Sequence, residues 1–364
     1  MPNPFSLTAI KTIFKIARYF DKRSDVFDRD KISNILIINT TAIGDTLLST
    51  PAIRALRKGF PSAHIAALVS KPAKEILLEN KYINELIDYQ PRINLPYLIK
   101  LPTLLKILKS RKFDLVIVLH GNDPDTAPIA YLTGASHRLG WEESRLSFLF
   151  TMPVKMRDEN EHFAEVRVGA LSNIGVTPDG IDLDMPLNAE DEEEADAFLE
   201  RNNLQKGLLA GLHPFGSKPY KWWPLERMAK TGDYLYKKYN LQPVIFGGAK
   251  EKTHAIEMAN MMQVKPLIAA GELSIRGSAA LIKRCRLFIT TDSGPMHIAQ
   301  TMKIPTIAIL WSTSTQTGPV NKKSIVLYGK CNNTDKILTS CTEGVLVEDV
   351  IKAVNKFMEG EALT

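Results

Sequence analysis

The sequence predicts an α/β protein made of two doubly wound domains, each with a parallel sheet between layers of helices. Three observations support this prediction. Short apolar segments alternate with amphipathic segments of helical period from residue 32 onward. The alternation weakens near 175–190, where Pro, Gly and acidic residues cluster as in a linker between domains. The chain has 364 residues, enough for about two domains of ordinary size.

In the first half, three apolar segments rich in β-branched residues predict buried parallel strands. They are ILIIN (35–39), HIAALV (64–69) and DLVIVL (114–119). Helices are predicted near 46–59, 72–80 and 98–111. A strand–helix–strand order of this kind predicts right-handed crossovers in a doubly wound sheet.

The same alternation returns in the second half, after an acidic helix predicted at 190–202. The predicted strands are LLAGLHP (208–214), PVIFGG (243–248), LFITTD (287–292) and IPTIAIL (304–310), and the predicted helices lie near 224–238, 250–262, 275–284 and 295–303. The two halves are therefore predicted to be Rossmann-like domains. Ligands of doubly wound sheets bind beyond the carboxyl ends of the strands, so we expect the site in the cleft between the domains.

These patterns divide the chain into four predicted segments. They are a basic amphipathic extension (1–31), an N-terminal domain (32–180), a C-terminal domain (181–345), and a C-terminal helix and tail (346–364).

Composition excludes a disordered or collagen-like chain, since 45% of the residues are hydrophobic and 24% charged. The net charge of +6 favours anionic partners. Cys285, Cys331 and Cys341 lack the paired spacing of a zinc site and predict reduced thiols, with a Cys331–Cys341 disulfide as the alternative. We find neither an apolar run of the ~20 residues that span a membrane nor a secretory cleavage site, and expect a cytoplasmic protein.

The segment after the first predicted strand, NTTAIGDTLLSTPAIRAL (39–56), places Gly44 in a tight turn and Asp45 at the start of a helix. As an N-cap, the Asp45 carboxylate would stabilise the helix by about 0.5–2 kcal/mol. As a general base, it would accept a proton from a substrate hydroxyl. The spacing leaves both interpretations open. The segment carries neither a dinucleotide fingerprint nor a P-loop.

The segment TTDSGPMHIAQ (290–300) opens a helix directly after a strand. Ser293 and Gly294 lie where helix amides are unpaired, which is an anion-binding arrangement. Pro295 costs no hydrogen bond in the first turn, and His297 lies on the same turn, within reach of a phosphate. The alternative is a capped helix with a half-buried histidine.

Two further segments follow predicted strands of the second half. HPFGSKPYKWWPLERM (213–228) carries Lys218 and Lys221 before a helix, and FGGAKEKTHAI (246–256) carries Glu251 after two glycines. A lysine suits a phosphate and a carboxylate suits the hydroxyl pair of a ribose. The alternative for Lys218 and Lys221 is simple solvation, because most lysines in loops contact only water.

In chain order, INTTAIGDTLLSTPAIRALR, KWWPLERMA, FGGAKE and TTDSGPMHIAQTMKIPTIAI resemble the motif series of glycosyltransferase family 9, the ADP-heptose–lipopolysaccharide heptosyltransferases. DLVIVLHGN and TGASHRLGW also resemble the N-terminal half of that family. The resemblance covers 33–356. It implies the GT-B fold, with the donor held by the C-terminal domain and the acceptor by the N-terminal domain. It also implies an inverting transfer of heptose from ADP-heptose to a lipopolysaccharide core acceptor, with neither metal nor cofactor.

The resemblance also implies roles for individual residues. Asp45 matches the general base, Lys221 a lysine at the donor phosphates, and Glu251 a ribose-binding glutamate. The predicted donor-binding residues are Thr41, Gly44, Ser217, Lys221, Glu251, Asp292, Ser293, Gly294 and His297, and the predicted acceptor-binding residues are His120, Asn122 and Arg138. Asn39 departs from the family, because many members carry Lys or Arg there.

Two alternatives stay open at this point. One is a GT-B transferase that uses another nucleotide sugar or another glycan acceptor. The other is a nucleotide-sugar-binding protein without turnover. The expected partners are a nucleotide sugar and a lipid-linked glycan, and no nucleic acid.

The N-terminal extension predicts a basic amphipathic helix. Its apolar stripe consists of Ile10, Ile13, Phe14, Ala17 and Phe20, with Lys11, Lys15, Arg18 and Lys22 around it. Such a helix can lie in an anionic membrane interface, so we expect peripheral contact with the inner face of the inner membrane. A core-facing helix with solvated lysines is the alternative. The stretch YLIKLPTLLKILKSRK (97–112) has a similar composition and the same two interpretations.

Overall fold

The structure is a computed structural model. It describes residues 4–21, 26–89, 95–119, 126–156, 161–204, 208–311, 315–321, 323–329 and 341–360. The chain forms two compact units, Met1–Ile181 and Asp182–Thr364, and each contains a six-stranded sheet. Every strand pair in the two sheets is parallel. The predicted fold class, two doubly wound α/β domains, is confirmed.

The sheet of the N-terminal unit has the strand order β3-β2-β1-β4-β5-β6. Its strands are β1 (Asn34–Asn39), β2 (His64–Val69), β3 (Glu85–Asp88), β4 (Leu115–Val118), β5 (His137–Trp141) and β6 (Met152–Val154). The helices are α1 (Pro4–Tyr19), α2 (Ile43–Leu47), α3 (Thr50–Gly59), α4 (Lys71–Leu77), α5 (Leu95–Ser110), α6 (Thr126–Leu132) and α7 (Phe163–Ala170). Residues 35–38 of β1 are fully buried, as expected for a parallel strand covered by helices on both faces.

The sheet of the C-terminal unit has the order β12-β11-β10-β7-β8-β9. Its strands are β7 (Leu209–His213), β8 (Gln242–Ile245), β9 (Leu267–Ile268), β10 (Cys285–Thr291), β11 (Thr306–Leu310) and β12 (Ser324–Tyr328). The helices are α8 (Ala189–Arg201), α9 (Leu225–Tyr239), α10 (Lys252–Met261), α11 (Ile275–Lys283), α12 (Gly294–Thr301) and α13 (Val347–Met358). Strands β7, β10 and β11 form the centre of this sheet.

The two terminal segments, predicted as separate parts of the chain, belong to the two units. In α1, Phe14 and Ala17 pack against the core of the N-terminal unit, and the Tyr131 hydroxyl donates a hydrogen bond of 3.0 Å to the Ala17 carbonyl. In α13, Val350 and Val354 are fully buried in the core of the C-terminal unit. Both helices therefore pack on the sheet of the unit next to them, and the predicted segment bounds 1–31 and 346–364 stay predictions.

Two other predictions concern the membrane and the cysteines. Over the described ranges, none of the helices combines the length and the apolar composition that crossing a bilayer would take. Cys285 is a free, buried cysteine, and its burial raises the pKa of its thiol. Cys331 and the side chain of Cys341 lie outside the described residues, so the predicted thiol state of this pair and its disulfide alternative remain predictions.

Candidate functional site

In the C-terminal unit, polar side chains follow the carboxyl ends of three neighbouring strands. Asp292 follows β10, Lys221 lies in the connection after β7, and Trp311 follows β11. These strands are adjacent in the order β11-β10-β7. Because the carboxyl ends of parallel strands lie at one edge of a sheet, the three side chains converge there, at the edge where α/β sheets bind ligands.

Asp292 is the centre of this group. Lys221 Nζ lies 2.9 Å from Asp292 Oδ2, and Trp311 Nε1 donates to the same oxygen at 3.1 Å. Lys221 Nζ also lies 5.3 Å from the centroid of the Trp311 ring, within the range of a cation–π contact. The Lys221 and Asp292 side chains are 19% and 16% exposed. The lysine ammonium is therefore held in one place and still reaches solvent.

The backbone before Lys221 must pass very close to it. A Cβ atom at Gly216 would lie 2.7 Å from Lys221 Cβ, so a glycine is required for this approach. Ser217, predicted to bind the donor, is exposed in the same loop. The loop thus presents a lysine and a serine at the carboxyl end of β7.

Ser293 is the N-cap residue of α12, yet within the described residues no side chain caps this helix. The Ser293 hydroxyl lies 3.2 Å from His213 Nδ1 and donates to the Thr291 carbonyl at 3.1 Å. Burial lowers the pKa of His213 to about 3, so its ring is neutral at physiological pH. The first turn of α12, which includes Gly294, is left with backbone N–H groups that suit an anion.

Two other predicted donor-binding residues lie near this edge. Glu251 Oε2 accepts a hydrogen bond of 2.8 Å from the Gly248 backbone and so closes the turn after β8. His297 lies in the first turn of α12 and is only 3% exposed. The ribose contact of Glu251 and the phosphate contact of His297 remain predictions.

In the N-terminal unit, Asp45 is the third residue of α2, and the N-cap position belongs to Ala42. Its carboxylate forms no capping bond. Instead, Asp45 Oδ1 accepts a hydrogen bond of 3.0 Å from Arg167 Nη2 on α7. The Asp45 side chain is 35% exposed and the Arg167 side chain 6%. Of the two interpretations that the sequence left open, the first therefore does not hold: among the described residues, the Asp45 carboxylate is not the N-cap of α2.

Arg167 contacts the backbone of the same segment as well. Its Nη1 donates to the Asp45 carbonyl and, at 3.1 Å, to Ser49 Oγ. Burial lowers the pKa of the Arg167 guanidinium, and the charge of Asp45 opposes that change. One buried arginine therefore fixes both the backbone and the carboxylate of Asp45. Sequence reasoning missed Arg167, because nothing in the local sequence links these two positions.

The loop before α2 is ordered by short polar contacts. Thr41 Oγ1 donates to Asn39 Oδ1 at 2.9 Å, and Ser70 Oγ donates to the Thr41 carbonyl at 2.7 Å. Asn39 is fully buried, and its Nδ2 has no hydrogen-bond partner among the described residues. Thr41 thus fixes the end of β1. Gly44 lies in the first turn of α2, the helix that carries Asp45. Donor contacts by Thr41 and Gly44 stay predictions.

Of the predicted acceptor-binding residues, the structure describes Arg138. The Arg138 side chain is fully buried. Its guanidinium donates to the Leu149 and Ala135 carbonyls and lies 3.3 Å from Asp21 Oδ2. Arg138 therefore stabilises the interior of the N-terminal unit, and its contact with an acceptor stays a prediction. His120 and Asn122 lie outside the described residues.

The part of the chain that the structure describes contains no set of three or more His, Cys, Asp or Glu side chains placed to hold a metal ion.

Comparison with known proteins relates the chain to one protein family. The sequence model of glycosyltransferase family 9 (heptosyltransferase) matches residues 102–346. Lipopolysaccharide heptosyltransferase 3 of Escherichia coli K12 is 27% identical over 288 residues, which cover 74% of this chain and 80% of that protein. The crystal structure of the glycosyl transferase family 9 protein from Veillonella parvula DSM 2008 has a TM-score of 0.80 at 27% identity, covering 90% of this chain and 98% of the other. The structure of E. coli ADP-heptose LPS heptosyltransferase II has a TM-score of 0.75 at 21% identity, covering 90% of this chain and 100% of the other. At this identity, the similarity is evidence for a shared fold only.

Proposed function

Because the chain belongs to glycosyltransferase family 9, it is a glycosyltransferase with the GT-B fold, and we propose that it transfers heptose from ADP-heptose to the core of a lipopolysaccharide-type glycan. One observation carries this proposal. The C-terminal unit holds the Lys221 ammonium beside Asp292. Two residues after Asp292, helix α12 begins, and no side chain among the described residues caps its first turn. A cation and a helix N-terminus at one sheet edge suit a diphosphate, the leaving group of a nucleotide sugar.

The leaving group gains negative charge as the bond between the sugar and the diphosphate breaks. In the proposed reaction, Lys221 and the backbone N–H groups of the first turn of α12 stabilise that charge. The Lys221 ammonium is held at 2.9 Å from Asp292, so little reorganisation is needed when the diphosphate departs.

Asp45 is the proposed base. Its partly exposed carboxylate would accept the proton of an acceptor hydroxyl as the hydroxyl oxygen bonds to the anomeric carbon of heptose. The bond from that carbon to the diphosphate breaks on the opposite face and releases ADP. A single displacement of this kind inverts the anomeric configuration. Arg167 holds Asp45 in place for it.

We also propose that the transfer requires no metal ion. The positive charge that a divalent cation would bring to a diphosphate is supplied in this proposal by Lys221 and by the start of α12.

The proposed acceptor is a lipid-linked glycan at the cytoplasmic face of a membrane, which the enzyme would reach as a peripheral protein. Relatives named as lipopolysaccharide heptosyltransferases support the glycan, at 27% identity for the E. coli protein. The surface that would face the lipid depends on helix α1.

A panel of donors tests the proposed substrate. ADP-heptose, ADP-ribose, a UDP-sugar and a GDP-sugar are titrated separately, and turnover with a core acceptor is measured for each sugar. We expect ADP-heptose to bind and react, and ADP-ribose to bind more weakly. If the UDP- or GDP-sugar were turned over while ADP-heptose neither bound nor reacted, the donor would be another nucleotide sugar. Binding of ADP-heptose without turnover on any acceptor would instead support a binding protein.

A further inference from the structure

Helix α1 carries an apolar face that the N-terminal unit leaves exposed. Ile13 is 65% exposed, Ile16 58%, Tyr19 85%, and Phe20, directly after the helix, 72%. Spacings of three, four and seven residues place these side chains on one side of a helix. Among the described residues, no other helix exposes as many large apolar side chains. Such a patch is typical of a surface that contacts a partner.

The opposite face of α1 is fixed to the unit. Phe14 packs edge-on against Tyr131, with the ring centroids 5.8 Å apart, and the Tyr131 hydroxyl donates to the Ala17 carbonyl. Asp21, whose side chain is 2% exposed, lies 3.3 Å from the buried Arg138 guanidinium. These contacts set the rotation of α1 about its axis, so its exposed face has a defined direction.

This arrangement changes the stripe predicted from the sequence. Phe14 and Ala17 lie on the face that packs against the core, whereas Ile13 and Phe20 lie on the exposed face. Ile16 and Tyr19, which were not part of the predicted stripe, complete that exposed face. One side of α1 is therefore core-facing, as the alternative interpretation predicts, and the other side is exposed, so that contact with a membrane stays a prediction.

The charges around this face have one sign. Residues 1–20 contain Lys11, Lys15 and Arg18 and no acidic residue. Lys15 is exposed, whereas Arg18 lies 3.6 Å from Asp21, which is itself buried against Arg138. The face therefore offers apolar surface beside the positive charge of exposed Lys15, and residues 1–20 contain no carboxylate to offset that charge.

We propose that this face of α1, formed by Ile13, Ile16, Tyr19 and Phe20, binds the surface of a bilayer that contains anionic lipid. Apolar side chains would enter the boundary between headgroups and acyl chains, while the neighbouring lysines contact lipid phosphates. A symmetric pair of two copies fits less well, because it would bring the Lys15 side chains together without an acidic partner on either helix.

Flotation of the full chain with vesicles tests this proposal. Vesicles of equal phosphatidylglycerol and phosphatidylcholine are compared with phosphatidylcholine alone. They carry no glycan, so the result is independent of the proposed reaction. We expect the double variant Ile16→Asp/Phe20→Asp to bind the anionic vesicles at least about tenfold more weakly than the wild type. The matched control Tyr236→Asp/Ile256→Asp makes the same charge change at side chains 40% and 43% exposed in the C-terminal unit, and should bind like the wild type.

A second pair of changes tests the charge. Lys11→Gln/Lys15→Gln should weaken binding to the anionic vesicles at least about fivefold and reduce its dependence on salt. Failure of the wild type to float with anionic vesicles would overturn the proposal, as would equal losses in the α1 variant and its control. A concentration-dependent dimer that Ile16→Asp/Phe20→Asp dissociates, without vesicle binding by the wild type, would assign the face to a second copy instead.

Discussion

Arg167 Nη2 lies 3.0 Å from Asp45 Oδ1, and the same guanidinium also contacts the Asp45 carbonyl. The proposed base is therefore oriented by a side chain from α7, and not by the cap of its own helix α2. A guanidinium presents donors from separate nitrogens in one rigid plane and so fixes a backbone and a carboxylate in one geometry, whereas the three donors of a lysine share one freely rotating nitrogen. The position of α7 thus decides where the Asp45 carboxylate points.

Replacing Asp45 with asparagine tests its role as the base. Asn keeps an oxygen that can accept the hydrogen bond from Arg167, but it cannot take a proton. We expect turnover to fall by about 10²–10⁴-fold, with the affinity for ADP unchanged in calorimetry. The control Asp179→Asn changes another paired carboxylate of the same unit, 3.1 Å from Arg54, and should keep full turnover. An Asp45→Asn enzyme with most of its turnover would contradict the assignment.

Arg167→Lys tests the positioning of that base. The single nitrogen of a lysine cannot occupy the positions of both Nη1, which contacts Ser49, and Nη2, which contacts Asp45. We therefore expect kcat to fall by about tenfold or more while KM for the donor stays unchanged. Arg54→Lys is the control, because Arg54 also pairs with a carboxylate and its side chain is 10% exposed. It should lower the melting temperature without changing kcat. If both variants lose stability and keep kcat, Arg167 is only structural.

Lys221 and Asp292 should act together in donor binding. Lys221→Ala removes a charged partner of the diphosphate and should weaken ADP binding by about 1–3 kcal/mol. Asp292→Ala should also weaken it, since the lysine loses the carboxylate that holds it at 2.9 Å. In a protein that already carries Lys221→Ala, adding Asp292→Ala should not weaken ADP binding any further. Calorimetry of the four proteins gives the coupling energy. Tighter ADP binding by Asp292→Ala alone would show that this carboxylate merely repels phosphate.

The buried His213 predicts a specific response of stability to pH. Its pKa of about 3 in the folded protein lies below the ordinary value of 6.5, so only the unfolded chain takes up this proton as the pH falls. The free energy of unfolding should therefore decrease below pH 6.5, relative to His213→Gln, by up to about 1.4 kcal/mol per pH unit. Urea denaturation of both proteins from pH 7 to pH 4 measures the difference, and a difference independent of pH would refute the prediction.

Chelation tests the metal-free mechanism. The proposed reaction uses Lys221 and the start of α12 to stabilise the leaving diphosphate, so EDTA should leave the rate of heptose transfer unchanged. Loss of activity in EDTA that magnesium or manganese restores would show that a metal ion takes part.

The central part of each sheet could be predicted from the sequence, and several outer strands could not. Long apolar segments such as 35–39 and 287–292 mark strands buried on both faces. β9 has two residues and β6 three, and segments this short show no periodicity. The helix predicted near 46–59 is two helices, because Pro51 starts α3 in its first turn.

Residues of the candidate site were predictable where they stand next to strand ends in local motifs, as Asp45 and Asp292 do. Their partners were not, because the contacts join distant parts of the chain. Arg167 lies 122 positions after Asp45, and Trp311 lies 19 positions after Asp292. The same holds for Arg138, because the motif that contains it gives no sign that its charge pairs with Asp21, 117 positions earlier in the chain.

The ion pair between Asp21 and Arg138 also has a consequence for synthesis of the protein. The two residues are 117 positions apart, so α1 leaves the ribosome well before its buried partner exists. At ordinary elongation rates of about 5–20 residues per second, that interval lasts roughly 6–23 seconds. During this time the face of α1 that will pack against the core also stays exposed. Helix α1 therefore cannot complete its docking until the chain has been made as far as Arg138.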